Sequence, residues 1–278
     1  MPELPEVETV ARGVDARVRG DRIAEAWFSS YPQTFKTPQQ AQARGLEGRT
    51  ILEVHRTGKH LVYELSSYQV TGEAKADAQW IVHLGMTGRL LVTTPDAPSA
   101  PHTHARLRLE SGLEIRFVDP RRFGRLEFRE LKKGNGFEAQ GSEPLTIASE
   151  PFAALFHGRK LAIKAALLNQ TLLSGVGNIY ADESLFRAGI RPRRAAGRLT
   201  RAELERLRVE LKAVLEDAIR LGGSSVSDYV DAEGVRGFFQ LEHRVYQRTG
   251  EPCLVCRALV RRIAVAGRST HYCPHCQK

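Results

Sequence analysis

Four cysteines lie close to the end of the chain, as Cys253-x2-Cys256 and, after sixteen intervening residues, Cys273-x2-Cys276. This spacing suits a metal better than a disulfide set. Each knuckle offers two thiolates on a tight turn, and together they make a tetrahedral S4 site for one zinc ion. Four protein ligands leave no open position, so the metal is expected to be structural. His271 and His275 stand nearby and read as surface or phosphate-facing residues. A second cluster lies at the other end, in Met-Pro-Glu-Leu-Pro-Glu-Val-Glu. Carboxylates there run against a chain charge of +9 and mark a candidate reaction centre. The competing reading is a helix N-terminus, which also favours negative charge. A third feature is Ser174-Gly175-Val176-Gly177, a tight turn ahead of a helix. Such a turn presents backbone N–H groups to an anion, or is simply a bend.

The elements that must position these groups fall into two halves. A chain of 278 residues fits two modest domains. The spacing of Val7, Val10, Val14 and Val18 predicts a helix from Pro5 to Val18. Short β-type runs follow at Ile23–Phe28, Thr50–Val54, His60–Leu65, Trp80–Leu84, Arg89–Val92, Ala105–Leu109, Glu114–Val118 and Arg125–Arg129. Many close strands predict a sandwich or barrel. Residues 66–79 and 94–104 read as surface loops. Composition shifts at Lys132-Lys133-Gly134-Asn135-Gly136. Beyond it helices are expected at Lys160–Leu173 and Asn178–Ala188, flanking the glycine turn, a geometry used to dock DNA. Thr200-x-x-Glu203 is a capping-box signature for a further helix that Gly222-Gly223 ends. Residues 223–240 read as a long functional loop.

Charge narrows the function classes. The pI is about 9.6, and residues 241–278 hold seven Lys or Arg against two acidic residues, net +5. Nucleic acid is the partner such a balance favours. No apolar run reaches the ~18 residues of a membrane span. The acidic, proline-broken N-terminus is no signal peptide, so a cytoplasmic protein is expected.

Taken in order, Pro2-Glu-Leu-Pro-Glu-Val-Glu8, Gly58-Lys59, His83-Leu-Gly-Met-Thr-Gly88, Asp119-Pro-Arg-Arg-Phe-Gly124, Gly177-Asn-Ile-Tyr-Ala-Asp-Glu183 and the four-cysteine ribbon resemble the formamidopyrimidine-DNA glycosylase (Fpg, MutM) family across essentially the whole chain. The resemblance implies an α+β fold: an N-terminal β-sandwich with flanking helices over 1–133, a linker over 134–150, a helix–two-turn–helix domain over 151–240 with its lesion loop at 223–240, and a zinc finger over 241–278. It implies a monomeric bacterial base-excision repair enzyme, both glycosylase and AP lyase, acting on duplex DNA with oxidised purines.

The site residues follow from the same resemblance. Removal of Met1 frees the Pro2 amine, which attacks the sugar C1′ and forms a Schiff base. Glu3 is the general acid, with Glu6 and Glu183 as supporting acids. Lys59 contacts phosphate and assists β-elimination. Arg268, at the tip of the zinc hairpin, serves δ-elimination. Met86, Arg121 and Phe123 fill the void left by the flipped nucleotide, and Arg121 pairs with the orphaned cytosine. His102, Arg159 and Asn178, with Arg121, contact DNA. Cys253, Cys256, Cys273 and Cys276 hold the zinc. His60 and Thr57 depart from the family's usual aromatic and basic residues. The alternatives are an endonuclease VIII-like relative, against which Leu4 and Arg121-Arg-Phe123 argue, and a non-catalytic zinc-ribbon DNA-binding protein, which would not need Pro2, Glu3 or Lys59.

Overall fold

The computed structural model describes residues 1–67, 75–132, 135–225 and 229–278. The chain forms two compact units, Met1–Glu138 with Gly222–Gly237, and Ala139–Leu221 with Phe238–Lys278. Parts of the expected 66–79 loop, of the 132–136 composition shift and of the 223–240 loop lie outside the described residues.

Helix α1 (Leu4–Val18) opens the first unit. Pro5 sits in its first turn, where a missing N–H breaks no helical bond. Val7, Val10, Ala11, Val14 and Val18 recur at helical spacing, and all are buried. Two antiparallel four-stranded sheets follow. One has the order β1 (Ile23–Phe28), β6 (Thr103–Leu109), β7 (Glu114–Val118), β5 (Arg89–Thr93). The other has the order β2 (Thr50–Thr57), β3 (His60–Ser66), β4 (Ala78–His83), β8 (Arg125–Glu130). Leu61, Tyr63 and Leu65 point to one face by the two-residue strand period. They share a core with Leu107, Ile115 and Phe117 of the facing sheet and with the α1 valines. This is a β-sandwich with flanking helices.

Helix α2 (Gln39–Leu46) has no counterpart in the sequence reading. Its sequence, Gln-Gln-Ala-Gln-Ala-Arg-Gly-Leu, offers only Ala43 and Leu46 as a short apolar side, and both pack on the core. Polar anchoring adds to that packing. Buried Gln42 accepts from Trp80 Nε1 at 3.1 Å and donates to the Thr37 carbonyl at 2.9 Å.

The second unit is mainly helical: α3 (Ser149–Ala154), α4 (Ile163–Leu167), α5 (Asn178–Arg187) and α6 (Arg201–Arg220), then a hairpin of β9 (Arg261–Val265) and β10 (Arg268–Tyr272). The expected helix over Lys160–Leu173 contracts to α4. Ala162 pairs with Ala195 in an isolated bridge, which keeps the chain extended before the helix. After it, Asn169 Oδ1 accepts the Thr171 N–H at 2.9 Å, a local turn that competes with helix. Helix α6 starts as expected, with Thr200 Oγ1 accepting from Glu203 N at 3.2 Å and Glu203 Oε2 from Thr200 N at 2.8 Å. Gly222 and Gly223, at φ +74° and +82°, end that run.

The sequence reading attaches 223–240 to the helical domain. In the structure Gly222–Gly237 belongs to the first unit. The reason is Glu6, whose Oε1 accepts the Ser224 N–H at 2.8 Å and whose carbonyl accepts from the Tyr229 hydroxyl at 3.3 Å. A Cβ on Gly223 would stand 3.0 Å from the Glu6 side chain, so this approach requires glycine.

Candidate functional site

In the first unit Pro2 and Glu3 are buried just ahead of α1. Glu6 is buried as well, and both its carboxylate oxygens hold backbone N–H groups: Oε2 that of Glu3 at 2.8 Å, Oε1 that of Ser224. Its carboxylate therefore fixes the path of the N-terminus. Glu8 has a related use. Arg56 Nε donates to it at 2.8 Å, and Arg12 at 2.7 Å. Burial pushes the Glu8 carboxyl up, but the two guanidinium groups outweigh this and leave it below the usual range. Arg56 stands on β2 beside the Gly58-Lys59 turn and donates to the Gly58 carbonyl at 3.1 Å. Gly58, at φ +61°, makes the two-residue hairpin turn possible. Glu8 and Arg56 thus tie the helix that carries Pro2 to the hairpin that carries the nearly buried Lys59.

Two loops present the residues expected to fill the void. Met86 and Phe123 are exposed. The Arg121 guanidinium lies over the Phe123 ring at 4.8 Å. Asp119 joins both loops and is fully buried. Its Oδ1 accepts from the Thr87 hydroxyl at 2.5 Å and the Arg121 N–H at 3.3 Å, and its Oδ2 from the Gly124 N–H at 2.7 Å. Its own N–H donates to the carbonyl of His102, an exposed residue held at φ +64°. The loops of Met86, Arg121 and Phe123 are therefore joined through one carboxylate, and His102 is joined to the same residue through the Asp119 backbone N–H. The signal for Asp119 was its place at the head of Asp-Pro-Arg-Arg, but the sequence reading did not single it out.

His60 and His83 face each other across β3 and β4, with ring centroids 4.8 Å apart, and Phe137 lies 4.7 Å from His60. Burial, with His83 and Lys36 adding, pulls His60 down to about 4. Burial, with Lys59, Arg125 and Lys36 adding, pulls His83 down to about 4. Both folded values lie below the unfolded value near ~6.5, so the folded state binds fewer protons. Their contribution to stability is complete above roughly pH 6.5 and is lost as pH falls towards 4. Thermal melts from pH 7 to 4.5 should show a loss on the order of 2 kcal/mol beyond that of His60→Phe, which keeps the ring packing without the charge. Equal acid slopes for the two proteins would exclude this pair as the cause.

In the second unit Gly175, at φ +87°, shapes the turn before α5, and its N–H donates to Gln170 Oε1 at 3.0 Å. Asn178 begins α5, and its Nδ2 reaches Ser269 Oγ at 3.4 Å. Arg268 precedes that serine and is exposed. It follows Ala266 and Gly267, both at positive φ, in a two-residue hairpin turn that matches strand twist. Asn178 and Arg268 are thus brought to neighbouring positions. Arg159 is exposed in the turn after α3, with its Nε on the Leu155 carbonyl at 2.6 Å.

Beneath them lies an ion pair absent from the sequence reading. Lys164 Nζ and Asp182 Oδ1 are 2.6 Å apart, with both side chains 0% exposed. Nζ also donates to the Ser269 carbonyl at 2.7 Å and to Thr270 Oγ1 at 2.9 Å. Asp182 Oδ2 accepts from the His271 backbone at 2.9 Å and lies 3.1 Å from its Nδ1. His271 is accordingly buried against Asp182, which corrects its expected surface placement. Glu183 is fully buried too. Its carboxylate accepts the N–H groups of Arg244, Val245 and Tyr246 at 2.8–3.1 Å and anchors the chain leading into the hairpin. Burial pushes its carboxyl up despite those three donors.

The cysteine Sγ atoms of Cys253, Cys256, Cys273 and Cys276 lie within 4.8 Å of one another, the one such cluster of potential metal ligands among the described residues. Cys256 and Cys273 are 3.4 Å apart, Cys253 and Cys276 3.9 Å. Tetrahedral zinc with bonds of about 2.3 Å needs sulfur–sulfur edges near ~3.8 Å, so the donor set fits one zinc ion. Among the described residues no helix is long and apolar enough to cross a membrane.

Comparison with known proteins gives three consecutive matches. Residues 1–126 match the formamidopyrimidine-DNA glycosylase N-terminal domain, 140–230 its H2TH domain, and 250–278 the zinc finger found in FPG and IleRS. The chain is 47% identical over 278 residues to a formamidopyrimidine-DNA glycosylase of Solibacter usitatus, with both chains fully covered. It is 44% identical over 294 residues to one of Cupriavidus pinatubonensis, again with full coverage. Among solved structures it resembles a Lactococcus lactis FPG mutant in complex with a Fapy-dG containing DNA, at a TM-score of 0.87, 34% identity and full coverage of both chains. It also resembles the Lactococcus lactis Fpg bound to DNA containing an abasic site, at a TM-score of 0.86 and 34% identity over 99% of each chain.

Proposed function

The chain belongs to the formamidopyrimidine-DNA glycosylase family, and from that membership we propose that it excises oxidised purines, 8-oxoguanine and formamidopyrimidines, from duplex DNA and then cleaves the strand as an AP lyase. It acts as a monomer in the bacterial cytoplasm, on double-stranded DNA with damaged bases. The observation that carries this reading is the N-terminus itself: Pro2 and Glu3 buried at the start of α1, with Glu6 fixing their path.

The chemistry follows from the residue types. With Met1 removed, the Pro2 nitrogen is a secondary amine. Its lone pair attacks C1′ as the N-glycosyl bond breaks, and Glu3 supplies the proton that the departing base or opening sugar requires. A secondary amine yields an iminium that cannot be neutralised by losing an N–H proton. That cation draws electrons from the sugar, and a 2′ proton is lost as the C3′–O bond breaks. A 4′ proton is then lost as the C5′–O bond breaks, which releases the 5′ phosphate and completes the δ step. Lys59 serves the first elimination and Arg268 the second, each beside a phosphate. Met86, Arg121 and Phe123 occupy the space of the flipped nucleotide, Met and Phe replacing stacking while the guanidinium pairs with the orphaned base. His102, Arg159 and Asn178 grip the backbone, which positions the enzyme without reading sequence. Zinc, when bound by the four cysteines, cross-links the two knuckles and so supports the hairpin that carries Arg268.

Borohydride trapping on an 8-oxoguanine:cytosine duplex tests the proposal. A covalent adduct through the N-terminus is expected. Its absence with Met1-free protein would sink the enzyme reading. Stronger trapping on oxidised-pyrimidine duplexes would move the chain to the endonuclease VIII-like branch.

A further inference from the structure

Arg121 and Arg122 are adjacent, yet their guanidinium groups lie over different rings. Arg121 is over Phe123 at 4.8 Å, and Arg122 is over Tyr31 at 5.0 Å. The divergence comes from the Arg122 backbone, held at φ +56° with its N–H on the Asp119 carbonyl at 3.2 Å. Tyr31 is 52% exposed. Its ring meets His104 edge-on, centroids 5.9 Å apart. His104 is 1% exposed and engaged at both nitrogens, Nδ1 with Ser29 Oγ at 3.0 Å and Nε2 with the Asp119 carbonyl at 3.0 Å. Tyr31 therefore stands on a rigid support, built on the same Asp119 that carries Arg121.

Among the described residues neither arginine has a carboxylate at ion-pair distance; each cation rests on an aromatic face. Asp119, close in sequence, is committed to Thr87, Arg121 N and Gly124 N. A guanidinium over a ring at an exposed site is held weakly and keeps its forked donors for a phosphate.

We propose that Tyr31 and Arg122 form a second DNA contact, in which Tyr31 holds the Arg122 guanidinium ready for a phosphate of the strand opposite the lesion. This rests on the glycosylase reading. Arg121 addresses the orphaned base, and the next residue, about 3.8 Å further along the backbone, falls beside the same strand. Arg122 touches the DNA, and Tyr31 is a positioning residue.

The test is equilibrium binding to a duplex with a tetrahydrofuran abasic analogue opposite cytosine, across a salt series. Arg122→Ala should bind about tenfold more weakly, with a salt slope smaller by about one. Tyr31→Leu should show much of that loss, and the double variant little more than Arg122→Ala alone. Tyr31→Phe, which keeps the ring, should bind as the wild type does. A neutral methylphosphonate opposite the lesion should abolish the difference between wild type and Arg122→Ala, whereas one in the damaged strand should not. An unchanged slope, additive losses, or dependence on the damaged strand would each overturn the proposal. Trapping separates the two failures. Without a wild-type adduct the glycosylase reading falls, whereas an adduct with an unchanged Arg122→Ala slope removes only the second contact.

Discussion

Protein in which the Pro2 nitrogen remains an amide is expected to lose base excision at least about a thousandfold and to give no trapped adduct, while still binding abasic DNA. An N-terminal extension that blocks Met1 removal makes such a protein. The argument is electronic. An amide nitrogen shares its lone pair with the carbonyl and cannot attack C1′. An α-amine near ~8 is partly neutral at working pH, whereas a lysine near ~10.4 is almost wholly protonated. Pro2→Gly is the complementary variant, since it keeps an α-amine but makes it primary. Its imine needs a proton to become an electron sink, and glycine loosens the chain ahead of α1. It should lose most base excision and retain lesion binding. Wild-type turnover by the amide-blocked protein would remove Pro2 from its role. Because an extension also adds bulk at a buried position, binding must be measured on the same protein. A blocked chain that neither binds nor reacts would point to obstruction, and Pro2→Gly would then decide.

The second large effect is on stability. Lys164→Met leaves the Asp182 carboxylate buried without its cation, and breaking such a pair costs about 3–5 kcal/mol. The two His271 donors remain on Asp182, which places the expected loss near the lower end. Lys164→Met with Asp182→Leu removes both charges and should recover most of the loss, because the desolvation penalty of the carboxylate disappears with it. Denaturant unfolding of the three proteins gives the comparison. Wild-type stability for Lys164→Met alone would show that the pair contributes nothing net. The single variant also frees the Ser269 carbonyl and Thr270 hydroxyl from Nζ. The strand just after Arg268 then loses its buried tether, so the Arg268-dependent part of the salt slope should fall as well.

The eight strands of the sandwich were legible because each half-buried strand alternates or runs apolar between turn residues. Observed bounds differ from the sequence reading by at most a few residues, as where Thr50–Val54 extends to Thr57. Helices α1 and α6 were legible for the same kind of reason, a buried stripe in both and, at α6, a cap written locally as Thr200-x-x-Glu203. Helix α2 was not, since its apolar side is only Ala43 and Leu46 and its other tie is Gln42 bonded to Trp80, thirty-eight residues away. The helix expected over Lys160–Leu173 was overextended because its neighbours, Ala195 and Ser142, lie far off in the chain and take its ends into bridges.

For the site, the chain alone determined the residue types: a proline amine after Met1, four thiolates at metal spacing, glycines where positive φ is needed, and an excess of cations. These are local properties, readable without neighbours. Tertiary structure alone decided what the charged groups are for. Glu6 and Glu183 look alike as acids near motifs, yet folding turns one onto Glu3 and Ser224 and the other onto residues 244–246, as acceptors for buried N–H groups. Asp119 becomes the joint of two loops, and Lys164 the buried counter-ion of Asp182. A side chain's ionic and hydrogen-bond partners are set by which distant segments burial brings against it, and no spacing along the chain encodes that.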